Sequence, residues 1–333
     1  MESLEKRKKD HIELAFKSQT SPDVLDTRFH YEPMLKAHPK GGIAPVSILG
    51  KKQKVPVWVS SMTGGTRQAG TINRNLATAC NEFGMGMGLG SCRIILEDDT
   101  HFEDFNMRSI IGNDLPFWAN LGIAQVEEMI QRKQVGKAVK LVERLRADGL
   151  IIHVNPMQEW FQPEGDILEI SPLETIKRFL DMFSYPVIVK EVGQGMGPES
   201  LRALLRLPLQ AIEFAAFGGT NFARVELLRD ETFSQSLFEP LSKIGEDAPA
   251  MVEMVNRIVA GESPECKELI ISGGIKNFLD GYYLIRRSSL PAIYGMASGF
   301  LKHAQGDYDQ LREFVHAQVQ GLEMAYTYLS IRD

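Results

Sequence analysis

Short apolar runs recur along the chain, and most are followed by a segment with helical spacing. Eight stand out: VWVS at 57–60, MGMGL at 85–89, FWANLG at 117–122, LIIHVN at 150–155, PVIVKE at 186–191, AIEFAA at 211–216, ELIISG at 268–273 and AIYGMA at 292–297. Their apolar residues are continuous rather than alternating, as expected of parallel strands buried on both faces. The stretches 71–83, 126–147, 171–183, 198–207, 248–261 and 277–287 repeat apolar residues at helical intervals. Ser171-Pro172 with Glu174, and Gly197-Pro198-Glu199, read as helix starts. Gly149 stands where a glycine stop for the long helix 126–147 is expected.

Strands alternating with helices over roughly 240 residues predict an α/β fold of the (β/α)8 barrel type. An open, doubly wound sheet is the alternative, because periodicity does not show closure. No G-x-G-x-x-G fingerprint supports a dinucleotide-binding half, since the Gly84–Gly90 run lacks the third position. The expected organisation is an N-terminal extension over 1–50, part short helix and part hairpin or loop, and a barrel over 51–333. Residues 224–247 make a loop long enough for a lid or insertion. The stretch after 304 reads as a helix with an apolar face, suited to closing the barrel or packing in an oligomer.

Composition narrows the class. The 333 residues are 44% apolar and 24% charged, with net charge −6. That balance suits a globular protein and disfavours general attachment to nucleic acid. Three widely spaced cysteines, Cys80, Cys92 and Cys266, argue against a disulfide framework or zinc site and for a reducing compartment. The N-terminus lacks the apolar core of a signal peptide, and no apolar run approaches the ~18 residues of a membrane span. The expectation is a cytoplasmic protein with no membrane partner. Lys6-Arg7-Lys8-Lys9 is a local basic run, whose usual fate is a solvated helix start.

In a barrel, chemistry is built at the C-terminal ends of the strands. Those positions here are polar or glycine: Ser60 to Gly65, Gly90 to Arg93, Asn120, His153 with Asn155, Gln158 and Glu159, Lys190-Glu191, Gly218 to Asn221, Ser272 to Ile275, and Gly295 to Ser298. SGGI after strand 7 and YGMAS after strand 8 together suggest a phosphate site, because glycine lets backbone N–H groups approach an anion. Either motif alone would equally suit a tight turn. Lys190 needs a negative partner. Glu191 points to the opposite face, so a bound anion is the better partner for whichever residue faces inward. His153 and Asn155 share a face, and Asn155 and Gln158 are amides that orient a ligand or hold a water rather than titrate. Glu159, the one carboxylate there, suits a general base, a surface residue or a magnesium ligand completed by waters and substrate phosphate. Trp160 and Phe161 could wall a pocket or belong to the core. Walker A, H-E-x-x-H, G-x-S-x-G and C-x-x-C signatures are absent.

Taken in order, Arg7-Lys8-Lys9-Asp10-His11, SSMTGGT, MGLGSCR, HVNPMQE, VIVKEVG, FGGTNFARVE and SGGI resemble type II isopentenyl diphosphate isomerase, from Arg7 to about Ala297. SGGI and VIVKE are weak motifs. R-K-x-D-H together with H-x-N-P-x-Q-E is specific. The resemblance implies a (β/α)8 homo-oligomer, tetrameric or octameric. It would use FMN, Mg2+ and a reductant such as NADPH to interconvert isopentenyl and dimethylallyl diphosphate. By matching motif, Ser61, Met62, Thr63, Ser91 and Asn120 would line the flavin ring, with Lys190 near its pyrimidine end. Thr220, Gly273, Gly274, Met296 and Ala297 would hold ribityl and phosphate. Arg7, Lys8, His11, Ser91 and Arg93 would bind the substrate diphosphate. His153, Asn155 and Gln158 would face the substrate and, with Lys190, form the catalytic set, and Glu159 would hold Mg2+. Gln158 would either relay a proton or orient the alkene.

Three places depart from the family pattern: Cys92, Asn221-Phe222, and Glu213 to Phe217 where D-V-A-G-A is usual. They bear on the shape of the loop after strand 6 more than on the reaction, and Cys92 reads as inert packing. The main alternative is another FMN-dependent barrel oxidoreductase. It would share the phosphate loops and Lys190, but would want a histidine base near strand 7, where ELIISGGIKN has none. A non-flavin phosphate-binding barrel and a silent scaffold are further readings. The scaffold has little need for so many costly polar groups at one rim.

Overall fold

The computed structural model describes residues 4–61, 65–229 and 237–332. Eight parallel strands close into a barrel: β4 (Val57–Val59), β5 (Gly86–Gly88), β6 (Phe117–Gly122), β7 (Leu150–His153), β8 (Val187–Lys190), β9 (Ala211–Glu213), β10 (Leu269–Ser272) and β11 (Ala292–Met296), which pairs back onto β4. Closure settles the choice against an open sheet. All eight apolar runs supply these strands, so their continuous hydrophobicity reflects burial on both faces.

Successive strand residues point to opposite faces. The inward set, Trp58, Trp118, Ile151, Ile188, Ala211, Ile270 and Ile293, makes a separate apolar cluster that fills the lower barrel. The outward set, such as Val57, Leu150, Val189 and Ile271, packs against the surrounding helices in a larger cluster. A hairpin of β2 (Val46–Ile48) and β3 (Lys51–Gln53) closes the bottom, with Ile48 and Leu49 entering the inner cluster. Its turn carries positive φ at Leu49 (54°) and Gly50 (74°), the signature of a two-residue type I′ connection. Lys51 latches it to Asp148 at 2.6 Å, and Asp148 also meets the buried Arg108 at 3.0 Å. The hairpin thus straddles the expected boundary at residue 50 and lies at the end of the barrel opposite the strand C-termini.

Two local expectations are corrected. The long helix 126–147 is two helices, α4 (Ile123–Gln131) and α5 (Gly136–Leu145). Lys133 is left-handed (φ 56°), a conformation that a right-handed helix cannot continue through, and the break lets both apolar stripes face the barrel. The helix stop is Arg146 (φ 51°), not Gly149. Gly149 is needed for close packing: a Cβ there would lie 2.3 Å from the Pro186 carbonyl and 2.4 Å from the Trp118 ring.

The remaining helices cover the barrel. Ser171 caps α7 (Pro172–Leu180) by accepting from the Glu174 N–H, and α8 (Pro198–Leu205) begins at Gly197 as expected. The long 224–247 connection is shorter than it reads. A helix α9 (Phe222–Arg229) already starts at 222, and the chain rejoins the barrel through a bridge between Phe217 and Asp247. Ahead of the barrel, the helix α1 (Leu4–Leu14) buries no side chain, while Phe29–Tyr31 pairs antiparallel with Leu329–Ile331 near the C-terminus. No helix among the described residues is long and apolar enough to cross a membrane.

Trp118 is 1% exposed within the inner cluster, and truncating a buried tryptophan leaves a cavity. Trp118→Ala is expected to lower unfolding free energy by about 3–5 kcal/mol. Denaturant titration of both proteins checks this, and a loss under ~1 kcal/mol would show that the inner cluster does not carry the barrel's stability.

Candidate active site

Polarity changes abruptly one pleat above the apolar floor. Two residues beyond each inward apolar position stand Ser60, Asn120, His153, Lys190, Glu213, Ser272 and Gly295. His153, Lys190 and Glu213 lie in register on β7, β8 and β9, so they form one arc of a ring around the barrel mouth.

On one side of this ring Asn120, only 2% exposed, donates to the Leu89 carbonyl at 2.9 Å. Its amide oxygen therefore faces His153 Nδ1 at 2.8 Å. That contact places the histidine proton on Nδ1 and leaves Nε2 as an acceptor. Gly122 makes room for the ring, since a Cβ there would lie 2.9 Å from Nε2. Burial pushes the His153 pKa down to about 3, and the Lys190 charge adds to the effect, so the ring is neutral near pH 7.

Lys190 is 6% exposed and donates to the carbonyl of Glu191 at 2.8 Å. The Glu191 carboxylate turns away, as strand geometry requires, and accepts from the N–H groups of Gly193, Gln194 and Gly195. Burial raises its pKa, with the three N–H groups opposing. Glu213 is fully buried. Its Oε1 accepts from Ser60 Oγ at 2.5 Å and Ser272 Oγ at 3.2 Å, while Oε2 has no partner among the described residues.

Above β7, Pro156 opens a short helix α6 (Pro156–Phe161) directly after Asn155. One helical turn then brings positions i+3 and i+4 back to Asn155. Its amide donates to Gln158 Oε1 at 3.1 Å and Glu159 Oε1 at 2.9 Å. Gln158 in turn donates to Glu226 Oε1 at 3.0 Å, and Glu226 pairs with Arg229. Glu159 Oε2 accepts from the Asp166 N–H at 2.9 Å. Among the described residues no three His, Cys, Asp or Glu side chains gather as a metal cage, so Glu159 is a single carboxylate anchor. Phe161 packs with Ala223 and Leu227 of α9, whereas Trp160 is 73% exposed and walls no core.

The glycine loops behave as a cradle. Gly218, Gly273 and Gly274 hold positive φ of 110°, 91° and 72°, and a Cβ on Gly273 would lie 2.1 Å from the Ala216 carbonyl. Together with Ser61, Lys190, Glu213, Thr220, Met296 and Ala297 they line a cavity of about 310 Å3. A second cavity, of about 640 Å3, runs behind Asn155 and Gln158 toward α7 and α8. Ser61 Oγ, Asn155 Oδ1 and Glu213 Oε2 are buried without partners at these cavities, which suits a polar ligand.

The sequence-derived site residues fall in different places. Ser61, Lys190, Thr220, Gly273, Gly274, Met296 and Ala297 share the smaller cavity, while Asn120 with His153, and Asn155 with Gln158 and Glu159, form two separate hydrogen-bonded clusters. Ser91 and Arg93 stand exposed at the rim, with Arg93 held by Asp166 at 3.0 Å. Arg7, Lys8 and His11 are exposed on α1 and line neither cavity. Met62 and Thr63 lie outside the described residues. Cys92 is fully buried, and burial pushes its thiol up to about 12, so it is inert packing. Sequence reasoning gave no role to Glu226 or Glu213. A charge on the buried face of α9, between Ala223 and Leu227, was the available signal for the first. A carboxylate at an inward position of an apolar strand was the signal for the second.

No family model matches the chain. Among curated proteins it is 33% identical over 324 residues to the isopentenyl-diphosphate delta-isomerase of Rickettsia felis, covering 96% of this chain and 90% of that one. It is 32% identical over 336 residues to the Deinococcus radiodurans protein of the same name, covering 99% and 95%. The chain belongs to the isopentenyl-diphosphate delta-isomerase family. Its strand-end motifs place it in the type II branch. Among solved structures, a flavocytochrome b2 variant with sulfite bound aligns with TM-score 0.61 at 14% identity, covering 90% of this chain and 71% of that one. A mandelate oxidase variant with an FMN adduct aligns at 0.55 and 14%, covering 92% and 88%. At that identity the likeness concerns the barrel fold alone.

The neutral state of His153 in this isomerase has a consequence for stability. In the unfolded chain the imidazole binds a proton below about 6.5, whereas in the native state it does so only near 3. Stability is therefore unaffected by this group above pH 6.5 and falls as pH drops from there toward 3, by at most ~1.4 kcal/mol per pH unit. His153→Gln should flatten that acid limb in denaturant titrations between pH 6.5 and 4. Parallel limbs in the two proteins would mean that His153 is already charged in the native state.

Proposed function

We propose that the enzyme interconverts isopentenyl and dimethylallyl diphosphate at the barrel mouth, with reduced FMN and Mg2+ and with NADPH as the reductant that readies the flavin. The observation that carries this reading is the polar ring above an apolar floor, next to a glycine-cradled cavity with unpaired polar atoms. Family membership supplies the substrate class.

FMN suits the residues present. The positive-φ glycines of the loops after β9 and β10 leave backbone N–H groups free to approach its phosphate, and Ser61 and Lys190, which line the same cavity, would face its ring, with Asn120 beside them. Lys190 then gains the negative partner that its position demands, at the pyrimidine end of the reduced ring. Bound reduced FMN would supply the proton that the surrounding side chains lack.

The chain's own residues do the rest. His153, neutral, offers only a lone pair at Nε2, and Asn155 and Gln158 are amides, so these three orient the substrate. Glu226 fixes the Gln158 amide, which sets the direction in which Gln158 presents its oxygen. Glu159 gives Mg2+ one carboxylate, and diphosphate oxygens and waters complete the shell. Arg93 exchanges Asp166 for the diphosphate, and Arg7, Lys8 and His11 of the exposed helix α1 come to the same group. A homo-oligomer in the cytoplasm completes the reading. The oxidoreductase reading lacks its base, since the stretch ELIISGGIKN around the end of β10 holds no histidine.

An isomerase assay with isopentenyl diphosphate, leaving out FMN, Mg2+ or NADPH one at a time, tests the whole proposal. Product should form only with FMN and Mg2+ present, and NADPH should be needed until the flavin is reduced. Full turnover by flavin-free protein would end it. Arg7→Ala should raise KM roughly 10–100-fold, as expected for a lost charge-assisted contact, with FMN affinity intact. An unchanged KM would remove α1 from the substrate site.

A further inference from the structure

Glu213 is the charged ring member to which the proposed reaction gives no role. We propose that Glu213 is a flavin-positioning residue whose free Oε2 accepts a hydrogen bond from a ribityl hydroxyl of FMN. The inference rests on the flavin reading above and names a contact within it.

The carboxylate lines the 310 Å3 cavity and is fully buried, and Oε2 has no protein partner among the described residues. A buried carboxylate oxygen without a donor is costly. The side chain is held still by Ser60 and Ser272 through Oε1, and Ser272 Oγ is itself fixed by the Ala215 N–H at 2.9 Å. Gly295 permits this clamp, since a Cβ there would lie 2.5 Å from Ser60 Oγ. The free oxygen is thus preorganised as an acceptor.

Lys190, its register neighbour on β8, is not that donor. Its ammonium is turned to the Glu191 carbonyl, and the two side chains make no ion pair. What remains is the ligand. A carboxylate repels phosphate, and the glycine loops already receive that end. The oxidised flavin ring, the form whose fluorescence reports binding, carries a single N–H donor. The ribityl chain carries three hydroxyl donors, and Glu213 stands on β9 between Lys190 of β8 and the β10 strand that leads into Gly273 and Gly274. A hydroxyl donating to a carboxylate is a short, strong hydrogen bond.

The test is flavin affinity, read by fluorescence quenching on enzyme stripped of its flavin. FMN is compared with its 2′-, 3′- and 4′-deoxy analogues, on the wild type and on Glu213→Met. The Met side chain matches the glutamate in length but offers no comparable acceptor. Glu213→Met should bind FMN roughly tenfold or more weakly. One analogue should bind the wild type weaker by a similar factor, and the variant should not distinguish that analogue from FMN. Additive losses for all three analogues would overturn the contact. If the variant does not fold, the wild type decides alone: equal affinity for FMN and all three analogues overturns the proposal. Failure of the wild type to bind FMN at all would sink the flavin reading itself, a distinct outcome.

Discussion

A barrel strand gives every second residue to the interior, and only the last inward residue of each strand can be polar without crossing the packed floor. That constraint fixes the height at which chemistry occurs. Below it, Trp58, Trp118 and the inward isoleucines exclude water, with Ile48 and Leu49 sealing the base. One pleat above, seven strands each present a polar residue or glycine. The floor makes the ring expensive, because polar groups set against it lose water and must find other partners. Each ring member has done so in part. His153 leans on Asn120, Lys190 on a carbonyl, and Glu213 on two serines.

This is why so much of the site was legible in the sequence. The strands are short apolar runs, and the first polar residue after each run is by parity a ring residue. Asn120, His153, Lys190 and Ser272 follow that rule, and so does Glu213, although sequence reasoning gave it no role. The HVNPMQE stretch was readable for a second reason. Proline after Asn155 starts a helix, and one turn fixes which later side chains return to the amide.

The illegible parts are those set by contacts distant in sequence. Nothing local announces that the hairpin at 46–53 plugs the barrel base, because the two apolar residues it buries, Ile48 and Leu49, are two among several apolar ones. The break at Lys133 was hidden because the two apolar stripes share one helical period. Glu226 became a site residue only when α9 folded against α6 and met Gln158, a contact spanning 68 positions. The exposed helix α1 is the converse case. Its R-K-x-D-H motif is plain in the sequence, yet no side chain of that helix is buried against the barrel.

The arc of His153, Lys190 and Glu213 shows what the ring is poised to receive. A neutral acceptor, a cation and an anion stand in register on neighbouring strands, so the arc is close to electroneutral yet strongly graded across its width. Lys190 and Glu213 could have neutralised each other. Instead each is turned to a neutral partner, and Glu213 keeps one oxygen free. Burying two opposite charges side by side without pairing them is unfavourable unless something else completes both. A ligand with an anionic end and hydroxyl donors along its length would do so in a single binding event. The same gradient lowers the basicity of His153, since the nearby cation acts in the direction of burial. Leaving this charged pair apart suits the cavity to a polyol-bearing anion, and the nearby cation adds to burial in keeping His153 neutral.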